Sequence, residues 1–200
     1  MTPLALGPSF AGLIEGGGIA LIPTDTVYGL CADAEDAVAV ERLLTLKNRP
    51  AGKPAALACF SLAGALAALP ELGERTQAAM RALLPGPLTL LVPNPARRFP
   101  LAGGGDLVGL RVIDAQPAPR NPILLTSANL AGEPDARSLA DVGGQIRAAV
   151  DLVVDGGELP GTASTVVDLG AYEREGRWRI VRAGACSAAV LERALLGSER

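Results

Sequence analysis

The sequence predicts one α/β domain carrying a mixed, twisted sheet, and three observations lead there. Short apolar runs of strand length alternate with runs of helical period through the first half of the chain. Strand-like runs then predominate, which a regular alternation of parallel strands and crossover helices would not produce. Finally, 200 residues supply a core of ample size, and no repeat, linker or low-complexity tail subdivides them. The expected domain therefore runs over 1–200.

Ser9 to Glu15 forms a short helix, and Gly16-Gly17-Gly18 leads from it into a buried strand at Ile19 to Ile22. Pro23 ends that strand because it has no amide hydrogen for a sheet ladder. Asp36 caps a helix in which Val40, Leu43, Leu44 and Leu46 make an apolar stripe. This helix stops at Lys47-Asn48-Arg49-Pro50, since a residue before proline avoids helical dihedrals. Ala55 to Phe60 is a second buried strand, followed by an Ala/Leu-rich helix to Leu69. Another helix over Glu74 to Leu84 closes at Pro85-Gly86-Pro87. Leu88 to Val92, Val108 to Val112 and Ile123 to Leu125 are strands, with a loose Ala102 to Asp106 loop before the second. Ser138 and Asp141 form a capping box that opens a helix. Leu152 to Val154, Thr165 to Leu169 and Trp178 to Val181 complete the strands. Glu173 to Arg177 reads as a hairpin tip, and Ser187 caps the last helix.

Composition removes several function classes. The 18 basic and 21 acidic side chains leave a net charge of −3, which disfavours a coat living on bulk phosphate attraction. A local basic cavity remains compatible with that balance. The chain has no histidine, so Ser-His and Cys-His nucleophiles and imidazole metal sites are excluded. Cys31, Cys59 and Cys186 are widely spaced and odd in number, and read as buried apolar residues in a reducing compartment. The N-terminus lacks the basic start of a secretory signal. The longest apolar stretch, Pro54 to Leu69, is too short to span a bilayer. The expected setting is therefore cytoplasmic, away from membranes.

Polar residues cluster just beyond several strand ends. Thr24, Asp25, Thr26 and Tyr28 follow Ile22 and Pro23, where open α/β sheets place ligands; a turn whose Thr and Asp bond their own backbone accounts for them equally. Lys47, Arg49 and Lys53 sit at a helix C-terminus, either as solvated charges against its dipole or as a phosphate clamp. Arg111 follows apolar strand residues, and a charged residue in such a strand usually lies on its solvent face. Thr126-Ser127-Ala128-Asn129 is either a simple turn or a second polar strand end. Pro85-Gly86-Pro87-Leu88-Thr89 reads as a turn entering a strand.

These stretches, in this order, resemble the signatures of the YrdC/YciO family, which includes threonylcarbamoyl-AMP synthases. Pro23 to Leu30, Lys47-x-Arg49, Pro85 to Thr89, Gly109-Leu-Arg111, Ser127-Ala-Asn129, Ser164-Thr-Val-Val-Asp168 and Arg182-Ala-Gly184 carry the likeness, over about residues 19–185. One departure is Ile113-Asp114 after Val112, where family members often have Pro-x-His.

The resemblance implies a single YrdC-like domain: a twisted, mixed open sheet flanked by helices around a basic ligand cavity, without an additional C-terminal domain. It implies that L-threonine, bicarbonate and ATP become threonylcarbamoyl-AMP and pyrophosphate, for N6-threonylcarbamoylation of adenosine 37 in tRNA. Thr26, Tyr28, Arg111 and Ser164 would hold threonine. Lys47, Arg49, Lys53, Ser127, Asn129 and Arg182 would hold ATP, with Lys47 and Arg49 acting in catalysis. No side chain stands out as a metal ligand, so Mg²⁺ would arrive with ATP. A downstream threonylcarbamoyl transferase complex is the implied partner, with weak tRNA binding allowed. A double-stranded RNA or tRNA module without adenylation, and a YciO-like paralogue of different activity, are the competing expectations; an acidic balance and 3% aromatic residues disfavour RNA binding as the main task.

Overall fold

The computed structural model describes residues 3–48, 54–103, 105–130 and 132–198. In chain order their elements are β1 (Leu4–Ala5), α1 (Phe10–Glu15), β2 (Ala20–Ile22), β3 (Gly29–Asp33), α2 (Ala37–Leu46), β4 (Ala56–Cys59), α3 (Leu62–Ala68), α4 (Glu74–Leu83) and β5 (Leu88–Pro93). There follow β6 (Leu107–Val112), β7 (Ala115–Gln116), β8 (Ile123–Ser127), α5 (Gly144–Ala149), β9 (Leu152–Val153), β10 (Thr165–Asp168), α6 (Tyr172–Glu175), β11 (Arg179–Arg182) and α7 (Ala188–Ser198).

Among these residues nine strands form one sheet in the order β11-β10-β5-β6-β4-β8-β3-β2-β9. Pairing is parallel at β10/β5, β4/β6 and β2/β9 and antiparallel at the other junctions, so the sheet is mixed. β1 and β7 pair separately. Helix α2 begins where the Asp36 carboxylate accepts from the Val38 and Ala39 amides at 2.9 and 3.0 Å, a cap worth about 1 kcal/mol. It buries Ala39, Val40 and Leu43. Leu44 and Leu46 are only half-buried against the same core.

Side chains alternate between the two faces of a strand, and the two faces have different coverings. Leu30, Leu57, Leu90, Leu110 and Leu124 share one core with residues of α2, α3 and α4, among them Leu43, Ala65 and Met80. On the opposite face α1 buries Phe10 and Ile14 against Ala20, Cys31, Ala58 and Ile123. Each such burial contributes about 1.5–3 kcal/mol. The Phe10 and Phe60 rings meet edge-on with centroids 5.8 Å apart. This second face continues through Ala56, Gly109, Thr89 and Val166, which form part of a cleft floor.

Four local expectations change. Gly29–Asp33 is a strand antiparallel to β2, so the Thr/Asp cluster lies in a hairpin connection rather than at a crossover. Its sequence Gly-Leu-Cys-Ala-Asp is buried at every position, which removes the polar–apolar alternation that marks a half-buried strand. Ser138 and Asp141 bracket a single 3₁₀ turn, with the Asp141 carboxylate accepting from the Ser138 amide at 2.8 Å; α5 starts separately at Gly144. Glu173 to Arg177 is no hairpin tip. It overlaps α6, whose Glu173 carboxylate accepts from the amide and hydroxyl of Thr76 at 2.8 Å each and so ties α6 to α4. Cys186 is partly exposed, whereas Cys31 and Cys59 are buried as expected.

Candidate functional site

A cleft of about 360 Å³ opens over the sheet. Its floor is a row of neighbouring strand positions. Thr89 of β5 is opposite Val166 of β10, and Val166 is opposite Arg182 of β11. On the other side, Gly109 and Arg111 of β6 lie beside Ala56 and Ala58 of β4. Gly109 adds no side chain to this floor; a Cβ there would make only ordinary contact, 3.5 Å from the Thr89 methyl group.

Arg111 is 7% exposed. Its Nη2 donates to Asp25 Oδ1 at 2.6 Å and to Thr26 Oγ1 at 3.1 Å, while its Nε has no hydrogen-bond partner among the described residues. Burial pushes the Arg111 pKa down, Asp25 pulls it up, and the like charge of Arg182 pushes it down again. Asp25 is held above its ordinary value of 3.8 because burial outweighs the attraction of Arg111. A guanidinium stays charged in either case.

The hairpin connection that supplies Asp25 and Thr26 organises itself. Thr24 Oγ1 accepts from the Thr26 and Val27 amides at 3.1 and 3.3 Å and donates to the Val27 carbonyl at 2.7 Å. Turn and site are thus the same object: the local bonds that define the turn place Thr26 behind Arg111. Tyr28 lines the cleft, and its hydroxyl donates to the Gly157 carbonyl and accepts from the Gly156 amide, each at 2.9 Å.

Lys47 closes α2 as its C-cap and is 4% exposed. Its ammonium reaches the Ser127 carbonyl, Ser127 Oγ at 3.2 Å, the Asn129 carbonyl at 2.8 Å and Asn129 Oδ1 at 3.0 Å. Ser127 Oγ donates to Asn129 Oδ1 at 2.5 Å. The lysine therefore braces the exit of β8, and Ser127 and Asn129 present themselves to the cleft from that braced turn.

Across the cleft, Arg182 donates through Nη2 to the Ser164 carbonyl at 2.8 Å and to Ser164 Oγ at 3.1 Å. Ser164 Oγ and Thr89 Oγ1 are 2.8 Å apart. Gly184 lets the chain after β11 pass this close: a Cβ there would sit 2.3 Å from the Ala163 oxygen.

The cleft thus gathers Tyr28, Lys47, Arg111, Ser127, Asn129, Ser164 and Arg182. Thr26 is fully buried behind Arg111. Arg49 and Lys53 lie outside the described residues. Four further polar residues line the cleft: Thr24 and Thr126, which belong to the polar strand-end stretches, and Thr89 and Asp135. Thr89 had a readable signal: it is the lone polar side chain in Leu88 to Val92, and its neighbours Leu88 and Leu90 point into the opposite core. Asp135 had none. Among the described residues no three Cys, Asp or Glu side chains gather as a metal site, and no helix is long and apolar enough to cross a membrane.

Residues 12–184 match the Sua5/YciO/YrdC family, described as Telomere recombination. A threonylcarbamoyl-AMP synthase of Pyrococcus abyssi is 34% identical over 168 residues, covering 80% of this chain and 49% of the relative. The chain thus spans about half the length of that relative. A threonylcarbamoyl-AMP synthase of Xanthomonas oryzae pv. oryzae is 36% identical over 192 residues, covering 90% of this chain and 95% of the relative. Among solved structures, P. abyssi Sua5 complexed with L-threonine superposes with a TM-score of 0.80 at 32% identity, over 92% of this chain and 56% of that one. Escherichia coli YciO shares the fold with a TM-score of 0.77 at 24% identity, over 96% of this chain and 100% of that one. The matched residues embrace every strand from β2 to β11, and the chain belongs to the Sua5/YciO/YrdC family.

Proposed function

We propose that this protein is a threonylcarbamoyl-AMP synthase, a nucleotidyltransferase acting in the formation of N6-threonylcarbamoyladenosine in tRNA. The observation that carries the reading is electrostatic. Arg111 and Arg182 face one cleft closely enough to repel each other, and a bound anion relieves that repulsion. An amino-acid carboxylate and a polyphosphate are two such anions. The bound L-threonine of the P. abyssi relative supports the first of them.

The chemistry suits a chain without histidine. The amine of L-threonine and bicarbonate form a carbamate and water. A carbamate oxygen then attacks the α-phosphorus of ATP, the α–β bridging bond breaks, and pyrophosphate leaves. Positioning and charge neutralisation carry such a step more than a strong base does. We assign Thr26, Arg111 and Ser164 to threonine, with Tyr28 at the wall. We assign Ser127, Asn129 and Arg182 to the nucleotide, with Lys47 acting by holding the Ser127–Asn129 turn. Arg49 and Lys53 are assigned to the phosphates on their sequence positions alone. Mg²⁺ enters as the ATP complex, the reaction takes place in the cytoplasm, and a threonylcarbamoyl transferase consumes the product.

The test is pyrophosphate release from MgATP and bicarbonate by the purified protein, with and without L-threonine. Threonine-dependent release is expected, and Arg49→Ala should lose most of it. Release that ignores threonine, or ATP binding without release, would replace this reading with a paralogue of other activity. Retained tRNA binding with no ATP binding would replace it with an RNA-binding module.

A further inference from the structure

The hydroxyl protons on the β5–β10 side of the cleft can be counted. Ser164 Oγ accepts from Arg182 Nη2 at 3.1 Å, a bond in which only the guanidinium can donate. Ser164 Oγ and Thr89 Oγ1, 2.8 Å apart, share one further hydrogen bond that either can donate. Two hydroxyls bring two protons, and that shared bond uses one. If Ser164 donates to Thr89, the proton left over is on Thr89; if Thr89 donates, it is on Ser164. Ser164 is 3% exposed and Thr89 is 8% exposed, and both side chains line the cleft. In each arrangement the pair retains a single O–H for a ligand, with a guanidinium beside it.

We infer that Thr89 is a substrate-binding residue, forming with Ser164 a two-oxygen donor that recognises a carboxylate-type oxygen in the cleft. This rests on the proposed synthase reading, in which two reactants carry such an oxygen: L-threonine through its carboxylate, and bicarbonate together with the carbamate it forms. The sheet holds the device rigidly. Thr89 is fixed by the parallel β5/β10 register, in which it faces Val166, and the Thr165 amide donates to the Pro87 carbonyl at 3.0 Å to set Ser164 beside it. Valine is the same shape as threonine without the proton, so a purely packing role would survive Thr89→Val. A binding role would not: where Ser164 donates to Thr89, the O–H left for the ligand is that of Thr89, valine removes it, and a site built around a hydroxyl discriminates strongly against its loss.

The experiment uses the full chain and compares wild type, Thr89→Val, Thr89→Ser and Ser164→Ala, with L-threonine binding by calorimetry and pyrophosphate release as separate readouts. Thr89→Val should raise either the L-threonine KM and Kd together or the bicarbonate KM by about ten-fold; which one moves identifies the oxygen. Thr89→Ser should return the value to within about three-fold of wild type, since it restores the hydroxyl. The double variant Thr89→Val/Ser164→Ala should cost little more than the worse single variant, because the two hydroxyls act as one unit. Unchanged constants in Thr89→Val, or no rescue by Thr89→Ser, overturn the inference while leaving the synthase reading intact. Should Thr89→Val misfold, Thr89→Ala, which only removes atoms at the cleft floor, takes its place. If wild type binds L-threonine without releasing pyrophosphate, the synthase reading falls, and the Kd values of the same variants decide on Thr89. If wild type neither binds L-threonine nor releases pyrophosphate, both fall together.

Discussion

The ammonium nitrogen of Lys47 lies 2.8 Å from the carbonyl oxygen of Asn129 and 3.0 Å from its side-chain oxygen, joining positions 82 residues apart. The lysine at the end of α2 therefore shapes the turn after β8. Lys47→Met should lower stability by about 1–2 kcal/mol, because it leaves half-buried acceptors without a charged donor. It should also weaken binding of a non-hydrolysable ATP analogue by loosening Ser127 and Asn129. Denaturant midpoints and calorimetric Kd values measure the two effects. Lys47→Arg should rescue neither, since a broad planar guanidinium does not fit where a compact ammonium reaches four oxygens.

Asp25 is held above its ordinary pKa of 3.8, chiefly by burial and against the pull of Arg111. The folded protein binds this proton more tightly than the unfolded chain does. The stability it contributes is thus fully present below 3.8 and is lost as pH rises through the higher folded value. Asp25→Asn removes the titration. The melting temperature of the variant minus that of wild type should therefore grow with rising pH across this window. A difference that stays flat, or shrinks, would contradict the assignment.

The Tyr28 hydroxyl is bonded to both Gly156 and Gly157 at 2.9 Å. Tyr28→Phe should cost about 1 kcal/mol, as expected for one net hydrogen bond. Hydrogen exchange at the Gly156 amide should accelerate at the same time. Unaltered exchange there would show that the loop is held by other contacts.

A Cβ at Gly184 would lie 2.3 Å from the Ala163 oxygen and 2.6 Å from the Ser164 carbonyl carbon. Backbone, not a flexible side-chain end, must then give way. Gly184→Ala should cost about 1–3 kcal/mol, the range for overpacking. Because Ser164 moves with that backbone, the threonine KM should rise even under conditions where the variant is fully folded. Steady-state kinetics below its melting temperature test this.

Much of this protein is determined locally. Asp36 as a helix cap, the end of α2 before Pro50, and the strands at Leu88, Val108, Ile123 and Thr165 follow from capping chemistry, proline sterics and short apolar runs. The ordered polar motifs named most of the residues that line the cleft. What stayed out of sight had identifiable causes. Strand β3 is buried on both faces and built of small residues, so it carries no periodic signal. Thr89 looked like part of a turn entering a strand, because its partner is 75 positions away. The same holds for Lys47, whose bracing role depends on a turn that no local pattern links to it. Residue types and most element starts are legible along the chain, whereas which side chains meet depends on how distant segments pack. Strand order and register are long-range properties, set by how one face of the sheet is covered by α2, α3 and α4 and the other is shared between α1 and the cleft.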